Sequence, residues 1–169
     1  RAIVDDVAAA IALVRDRALV FGGDSDRIVL AGHSAGAHLA ATMLAGPRAD
    51  IAECLAGVVL VSGVFDLAPI AMSYVNDRVG MSPAEIADLS PALHVPRRDV
   101  PVAILVGAEE TAEFKRQSRL LERAWARHVT GLTMTELPGR DHFDILTGLA
   151  EPNDPLFRCI AGLAAGSAP

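Results

Sequence analysis

Apolar residues recur at Ile3, Val4, Val7, Ile11, Val14 and Ala18, with charged residues between them. Steps of three and four put them on one side of a helix over Ala2–Val20. Phe21-Gly22-Gly23-Asp24 ends it. The pattern then changes period. Ile28–Ala31 is a short continuous apolar run, as in a buried strand, and Ala35–Ala45 returns to helix until Gly46-Pro47. Gly57–Val61 and Val102–Val106 are two more apolar, β-branched runs and predict strands. Glu113–His128 predicts a helix with Phe114, Leu120, Leu121 and Trp125 facing inward. Leu132–Leu137 alternates and predicts a fourth strand, Pro138–His142 a loop and Asp154–Ala165 a last helix. From 66 to 100, Pro69, Pro83, Pro91 and Pro96 interrupt any long period. Short helices and loops are expected there, forming a cap-like insertion over one end of the sheet.

Strands alternating with helices predict an α/β domain built on a mostly parallel sheet. In such sheets ligands bind beyond the carboxyl ends of the strands. Four short segments of this chain fall there. Ser34 follows the first strand, Asp66 the second, Glu109-Glu110 the third and His142 the fourth.

Composition narrows the class. Hydrophobic residues make up 51% of the 169 but aromatics only 4%. Alanine fills the difference, which suits helices packed closely on a buried sheet. A net charge of −6 argues against nucleic acid or an anionic membrane as partner. No apolar run approaches the roughly 18 residues of a spanning helix. Cys54 and Cys159 are too few and too far apart for a disulfide framework or a zinc site. Both are expected to be reduced, buried and inert, and the location cytoplasmic. The chain opens at Arg1 directly into a helix. Residues 1–169 are therefore expected to form the C-terminal part of a single domain.

The first of the four segments reads Gly32-His33-Ser34-Ala35-Gly36. G-x-S-x-G between a strand and a helix is a nucleophile elbow. Small residues two positions either side let the chain turn tightly and lift the serine hydroxyl above the sheet edge. The following helix N-terminus favours developing negative charge there. The plain alternative is a glycine turn capped by a serine; the flanking strand and helix favour the elbow.

A serine hydroxyl needs an adjacent base, itself oriented by a carboxylate. The order serine, acid, histidine is met by Ser34, then Glu109 or Glu110, then His142. Asp66 lies on the same side of the sheet, though it also suits a cap ahead of Leu67-Ala68-Pro69. Position leaves these three acids open. His33 is expected to point away from Ser34 and His38 to pack within its helix. His94 and His128 sit beside a proline loop and a helix end. Ala35 N–H supplies one oxyanion donor. A second, of His-Gly-Gly type, is not in this sequence, and Gly22-Gly23 precedes the elbow strand on the wrong edge.

Longer stretches carry a resemblance. The elbow continues as Gly32-His33-Ser34-Ala35-Gly36-Ala37-His38-Leu39. Val61-Ser62-Gly63-Val64-Phe65-Asp66-Leu67-Ala68-Pro69-Ile70 follows, with Ser73-Tyr74-Val75-Asn76 and Leu89-Ser90-Pro91 beyond it. Then come Glu110-Thr111-Ala112-Glu113-Phe114-Lys115-Arg116-Gln117-Ser118 and Gly139-Arg140-Asp141-His142-Phe143-Asp144-Ile145-Leu146. In this order, over nearly the whole chain, they resemble the kynurenine formamidase (arylformamidase) branch of the α/β-hydrolases, related to hormone-sensitive-lipase-like esterases.

The resemblance implies an α/β-hydrolase fold, here without its N-terminal strands. It implies Ser34 as nucleophile, His142 as base and Glu110 as acid, where many members carry aspartate. The implied reaction is hydrolysis of N-formyl-kynurenine to kynurenine and formate, a step of tryptophan breakdown, with no metal or cofactor. A small formyl site beside a larger aromatic site would suit that substrate. Phe65, Tyr74 and Phe143 are expected to line the larger one, with a core position as their alternative. The family's His-Gly-Gly segment precedes the residues matched here, so the 169 residues alone are expected to hydrolyse little. A broad carboxylesterase for short acyl esters is the second reading and a non-catalytic hydrolase-fold binding protein the third. The expected partner is a small-molecule substrate, and a homodimer is left open.

Overall fold

Apolar runs become strands and periodic stretches become helices in a computed structural model that describes residues 1–167. Helix α1 spans Ala2–Arg17, strand β1 Ile28–His33, helix α2 Ala35–Ala45 and strand β2 Leu55–Val61. Three short helices follow: α3 Ala68–Ala71, α4 Asn76–Val79 and α5 Pro83–Asp88. Strand β3 Val102–Gly107, helix α6 Ala112–Trp125, strand β4 Leu132–Leu137 and helix α7 Pro155–Ala164 complete the order. All neighbouring strands run parallel, in the order β1-β2-β3-β4. His33, Val61 and Leu105 share one row of the register.

Alternation along β2 separates two layers of core. Val58 and Leu60 face α1, α2 and α6, where Ala8, Ala37, Ala41, Leu44, Leu121 and Trp125 are buried with them. Val59 and Val61 face the other way, onto Ile145 and onto Leu156 and Leu163 of α7. Successive strand residues point to opposite faces, so a sheet covered on both sides is apolar throughout. Alanines on α2 let that helix lie close to the sheet.

The first helix stops before Val20. Ala18–Phe21 tightens into a 3-10 turn closed by Gly22 at φ 75°. Ala18 is the last residue of the stripe to be buried; Leu19 and Val20 are at least 80% exposed, so nothing holds a further turn. Helix α6 also differs from expectation. Leu121 and Trp125 are buried, but Phe114 and Leu120 are only half-buried, and Gln117 and Ser118 occupy the inner face instead. Cys54 is buried and Cys159 only half-buried; both thiols are free, and desolvation raises their pKa values. Among the described residues no helix is long and apolar enough to cross a membrane.

Between β2 and β3 the chain is held at a few points rather than by a continuous face. None of α3, α4 and α5 contains a buried residue. Ser82 caps α5 in a reciprocal capping box with Glu85. Ser90 is completely buried; its hydroxyl accepts from the Leu67 N–H at 3.0 Å and donates to the Ile86 carbonyl at 2.6 Å.

Candidate active site

At the end of β1 the backbone makes the turn that the elbow motif requires. Ser34 has φ 55° and ψ −119°, outside the regions that L-residues favour. Its N–H is fixed by the Val61 carbonyl at 2.9 Å. Gly32 must be glycine, because a Cβ there would collide with the Gly36 carbonyl. Such strain persists where the surroundings determine it, and it collects at functional sites. Ala35, the first residue of α2, has an N–H that the helix itself cannot satisfy.

Behind β3 the backbone turns so that adjacent glutamates part company. The Glu110 N–H bonds the Gly107 carbonyl, and the Glu110 side chain is fully buried while Glu109 is exposed. One Glu110 carboxylate oxygen accepts from the Gly107 N–H at 2.8 Å and from the Ser62 hydroxyl through a short hydrogen bond. The other faces His142 Nδ1 at 2.9 Å. A buried carboxylate must be paired and hydrogen-bonded, and this one has three donors.

The loop after β4 brings the histidine over the sheet edge. Gly139 takes φ 69°, and the following Arg140 carbonyl accepts the Glu109 N–H at 3.0 Å. Gly107 leaves room for that crossing, since any Cβ would meet the Arg140 carbonyl. Arg140 reaches Thr147 at 2.8 Å and the Asp154 carboxylate at 2.9 Å, while Asp154 caps α7 through the Leu156 N–H. Asp141 accepts from the Phe143 and Asp144 N–H groups, and these bonds hold its carboxyl below the usual carboxylate range.

His142 Nε2 then lies 3.1 Å from Ser34 Oγ. A carboxylate cannot donate, so Nδ1 facing Glu110 carries the proton and Nε2 is left as an acceptor for the serine hydroxyl. That is the tautomer of a general base. Phe114 stacks on the imidazole, with centroids 4.2 Å apart and planes at 26°, and Phe143 meets it edge-on at 5.3 Å.

Of the three acids that position leaves open, only Glu110 contacts the histidine. Asp66 Oδ1 accepts the Ala68 N–H at 3.0 Å, and its carboxylate pairs with Arg116 at 3.4 Å. Phe65 is corrected from pocket wall to core: its ring is completely buried, lying over Gly63 where a Cβ would collide with it. Tyr74 and Phe143 are about four-fifths exposed. His38 donates from Nε2 to the Leu89 carbonyl at 2.7 Å, and burial pushes its pKa down. His94 donates to the Ala87 carbonyl at 3.0 Å. An apolar groove of about 280 Å³ opens beside Ala35, lined by His38, Leu39, Leu67, Ile70, Met81 and Leu89 among others. Among the described residues no three His, Cys, Asp or Glu side chains converge in a way that would hold a metal ion.

Three contributors escape a reading of the motifs. Ser62 follows β2 at φ 51°, a second non-glycine residue in left-handed backbone, with its hydroxyl on Glu110. Gln117 accepts from the Phe65 and Asp66 N–H groups at 2.9 and 2.8 Å and donates to the Asp66 carbonyl at 2.9 Å. His33 turns its ring towards His142, with centroids 4.6 Å apart. Ser62 and Gln117 each left a trace: a serine and glycine just after an apolar strand, and an amide inside an otherwise apolar helix stripe.

A parallel sheet wrapped by helices, with an elbow serine, a buried acid and a loop histidine meeting beyond its strand ends, is an α/β-hydrolase fold. Solved structures agree. A candidate thioesterase from a Silicibacter species superposes with a TM-score of 0.81 at 28% identity, over 94% of this chain and 57% of that one. The apo form of esterase 2 from Thermogutta terrifontis gives 0.67 at 25% identity, over 84% and 55%. The sequence model of the carboxylesterase family matches residues 3–127, and the chain belongs to that family. Among curated proteins, kynurenine formamidase of Salmo salar is 34% identical over 134 residues, and that of Danio rerio 32% over 133. These alignments take in 73% and 75% of this chain but 45% of each relative, so the chain spans about half the length of the curated relatives it matches.

Proposed function

We propose that this chain carries the nucleophile, base and acid of a serine hydrolase that cleaves N-formyl-kynurenine to kynurenine and formate. The observation that carries the chemistry is the Ser34–His142–Glu110 relay, with His142 in the accepting tautomer. The substrate rests on the similarity to two proteins named kynurenine formamidase. Ser34 Oγ attacks the formyl carbon as His142 Nε2 takes the hydroxyl proton. Ala35 N–H faces the oxyanion. The tetrahedral adduct collapses as His142 Nε2–H protonates the aniline nitrogen, and kynurenine leaves. Water, deprotonated by His142, then attacks the formyl ester on Ser34, and formate is released as His142 Nε2–H returns the proton to Ser34 Oγ. Glu110 stays ionised and holds the imidazolium in place. The two free cysteines accord with a cytoplasmic setting.

A second reading has its own support. The apolar groove beside Ala35 is far larger than a formyl group needs, and a general esterase would use it for an acyl chain. Hydrolysis of N-formyl-kynurenine and p-nitrophenyl butyrate should be measured side by side, with the full-length protein and its Ser34→Ala variant. Strong serine-dependent formamide turnover is expected. Ester turnover alone would move the protein to the general esterases, and turnover of both substrates that survives Ser34→Ala would reject the serine mechanism.

A further inference from the structure

We infer that His33, the residue before the nucleophile, is a positioning residue for the catalytic base, acting through the main chain of His142. The inference rests on the relay proposed above. His33 Nε2 lies 2.8 Å from the His142 carbonyl oxygen. A carbonyl only accepts, so Nε2 carries the proton and donates it. Consecutive residues of one strained turn therefore hold two ends of the same residue. His33 binds its carbonyl, and Ser34 meets its ring nitrogen.

The rest of the histidine loop makes this contact necessary. Arg140, Asp141 and Asp144 are each tied by several hydrogen bonds. Among the described residues, the peptide groups of His142 have one hydrogen-bond partner, and it is His33. Its side chain is oriented by Glu110 at one nitrogen, but a ring pivoting on a loose backbone could move Nε2 away from the serine while keeping that bond. Displacements of about an ångström at a reacting group can lower rates by about a hundredfold.

The residue type also matters. Aspartate or glutamate at 33 would turn an acceptor towards a carbonyl. Lysine would donate, but would place a permanent cation beside an imidazole that must itself become cationic. A neutral imidazole donates without that charge. His142 and Glu110 are the titratable groups that face His33; burial, with the nearby His142, lowers its pKa, while the carbonyl bond and Glu110 oppose that shift.

The test uses the full-length protein and a fluorophosphonate that labels Ser34 whatever the natural substrate. His33→Phe keeps a flat ring without the donor; His33→Gln restores an uncharged donor. Labelling and kcat should fall about tenfold in His33→Phe with KM unchanged, and recover in His33→Gln. Equal rates in all three proteins, or equal losses in both variants, would overturn the inference while the relay stands. Nitrogen NMR of the parent protein tests the same bond if His33→Phe fails to fold. A protonated Nε2 on neutral His33 is expected, and the Nδ1–H tautomer would overturn the assignment. A parent protein that takes no label would reject the relay and this inference together.

Discussion

The loops bearing Glu110 and His142 and the stretch from 66 to 100 are all irregular chain, yet they are held in opposite ways. The catalytic loops bury few large side chains and are laced by polar bonds to backbone. Glu110 has three donors, Asp141 and Asp144 cap one another's turns, and Arg140 joins the half-buried Asp154. The longer stretch has three helices with no buried residue, and Met72, Tyr74, Val79 and Leu93 are each at least 60% exposed. It is anchored at Leu67, Leu89, Ser90 and Pro91. Polar lacing ties the first region to the sheet edge, whereas pinning at a few points lets the second open locally.

The largest way to break that contrast is at the carboxylate. Glu110→Gln keeps volume but removes the charge that fixes the histidine tautomer, and turnover should fall by about 10³–10⁴-fold. Single-turnover kinetics at matched folded fraction checks it, and a loss under tenfold would mean that the acid matters little. Gly107→Ala comes next. Its Cβ meets the Arg140 carbonyl, so the loop must shift, at a cost of about 1–3 kcal/mol in stability and with a fall in labelling. A urea midpoint equal to that of the parent would show the crossing to be loose.

Ser82→Ala removes the α5 cap and should cost about 1 kcal/mol. Because the stretch opens on its own, limited proteolysis should cleave it between 66 and 93 sooner, with Ser34 labelling unchanged. Loss of labelling would show the two regions to be coupled. The smallest effect is one of pH. Burial lowers the His38 pKa from 6.5, so just below that value the unfolded chain binds more protons than the folded one. Stability therefore rises with pH through this window and falls on acidification. His33 is lowered too and contributes with the same sign. His38→Gln should flatten part of the fall in urea midpoint between about pH 7.5 and 5; an unaltered slope would reject the assignment.

The two central strands were legible because a parallel strand covered on both faces must be apolar at every position, and the edge strand Leu132–Leu137 because it alternates. Ile28–Ala31 grew by two residues and Val102–Val106 by one, both at the carboxyl end, where hydrogen bonding outlasts hydrophobicity. Ser34 was legible from two glycines and their setting. Glu109 and Glu110 were not separable by position, and only the resemblance pointed to Glu110, because a turn at Gly107 decides which of the two side chains goes inward. Ser62, Gln117 and His33 work through individual side-chain hydrogen bonds, which leave no period. Phe65 shows the reverse: an aromatic in the right segment that a glycine two residues earlier draws into the core.

The ladder of the sheet does not stop where the strands do. Ser34, Ser62 and Ala108 each donate an N–H to the strand alongside, to Val61, Leu105 and Leu137. The turn residues beneath the nucleophile, beneath the serine on the acid and beside the acid loop are thus rungs of the sheet. Their amides should exchange with deuterium only when the whole domain unfolds, at the rate of central β2 and β3. Hydrolases are often thought of as rigid scaffolds with mobile working ends. Here the footings of the working end keep the slowest clock in the molecule, and the loops that carry Glu110 and His142 rise from strand ends that shift only on global unfolding.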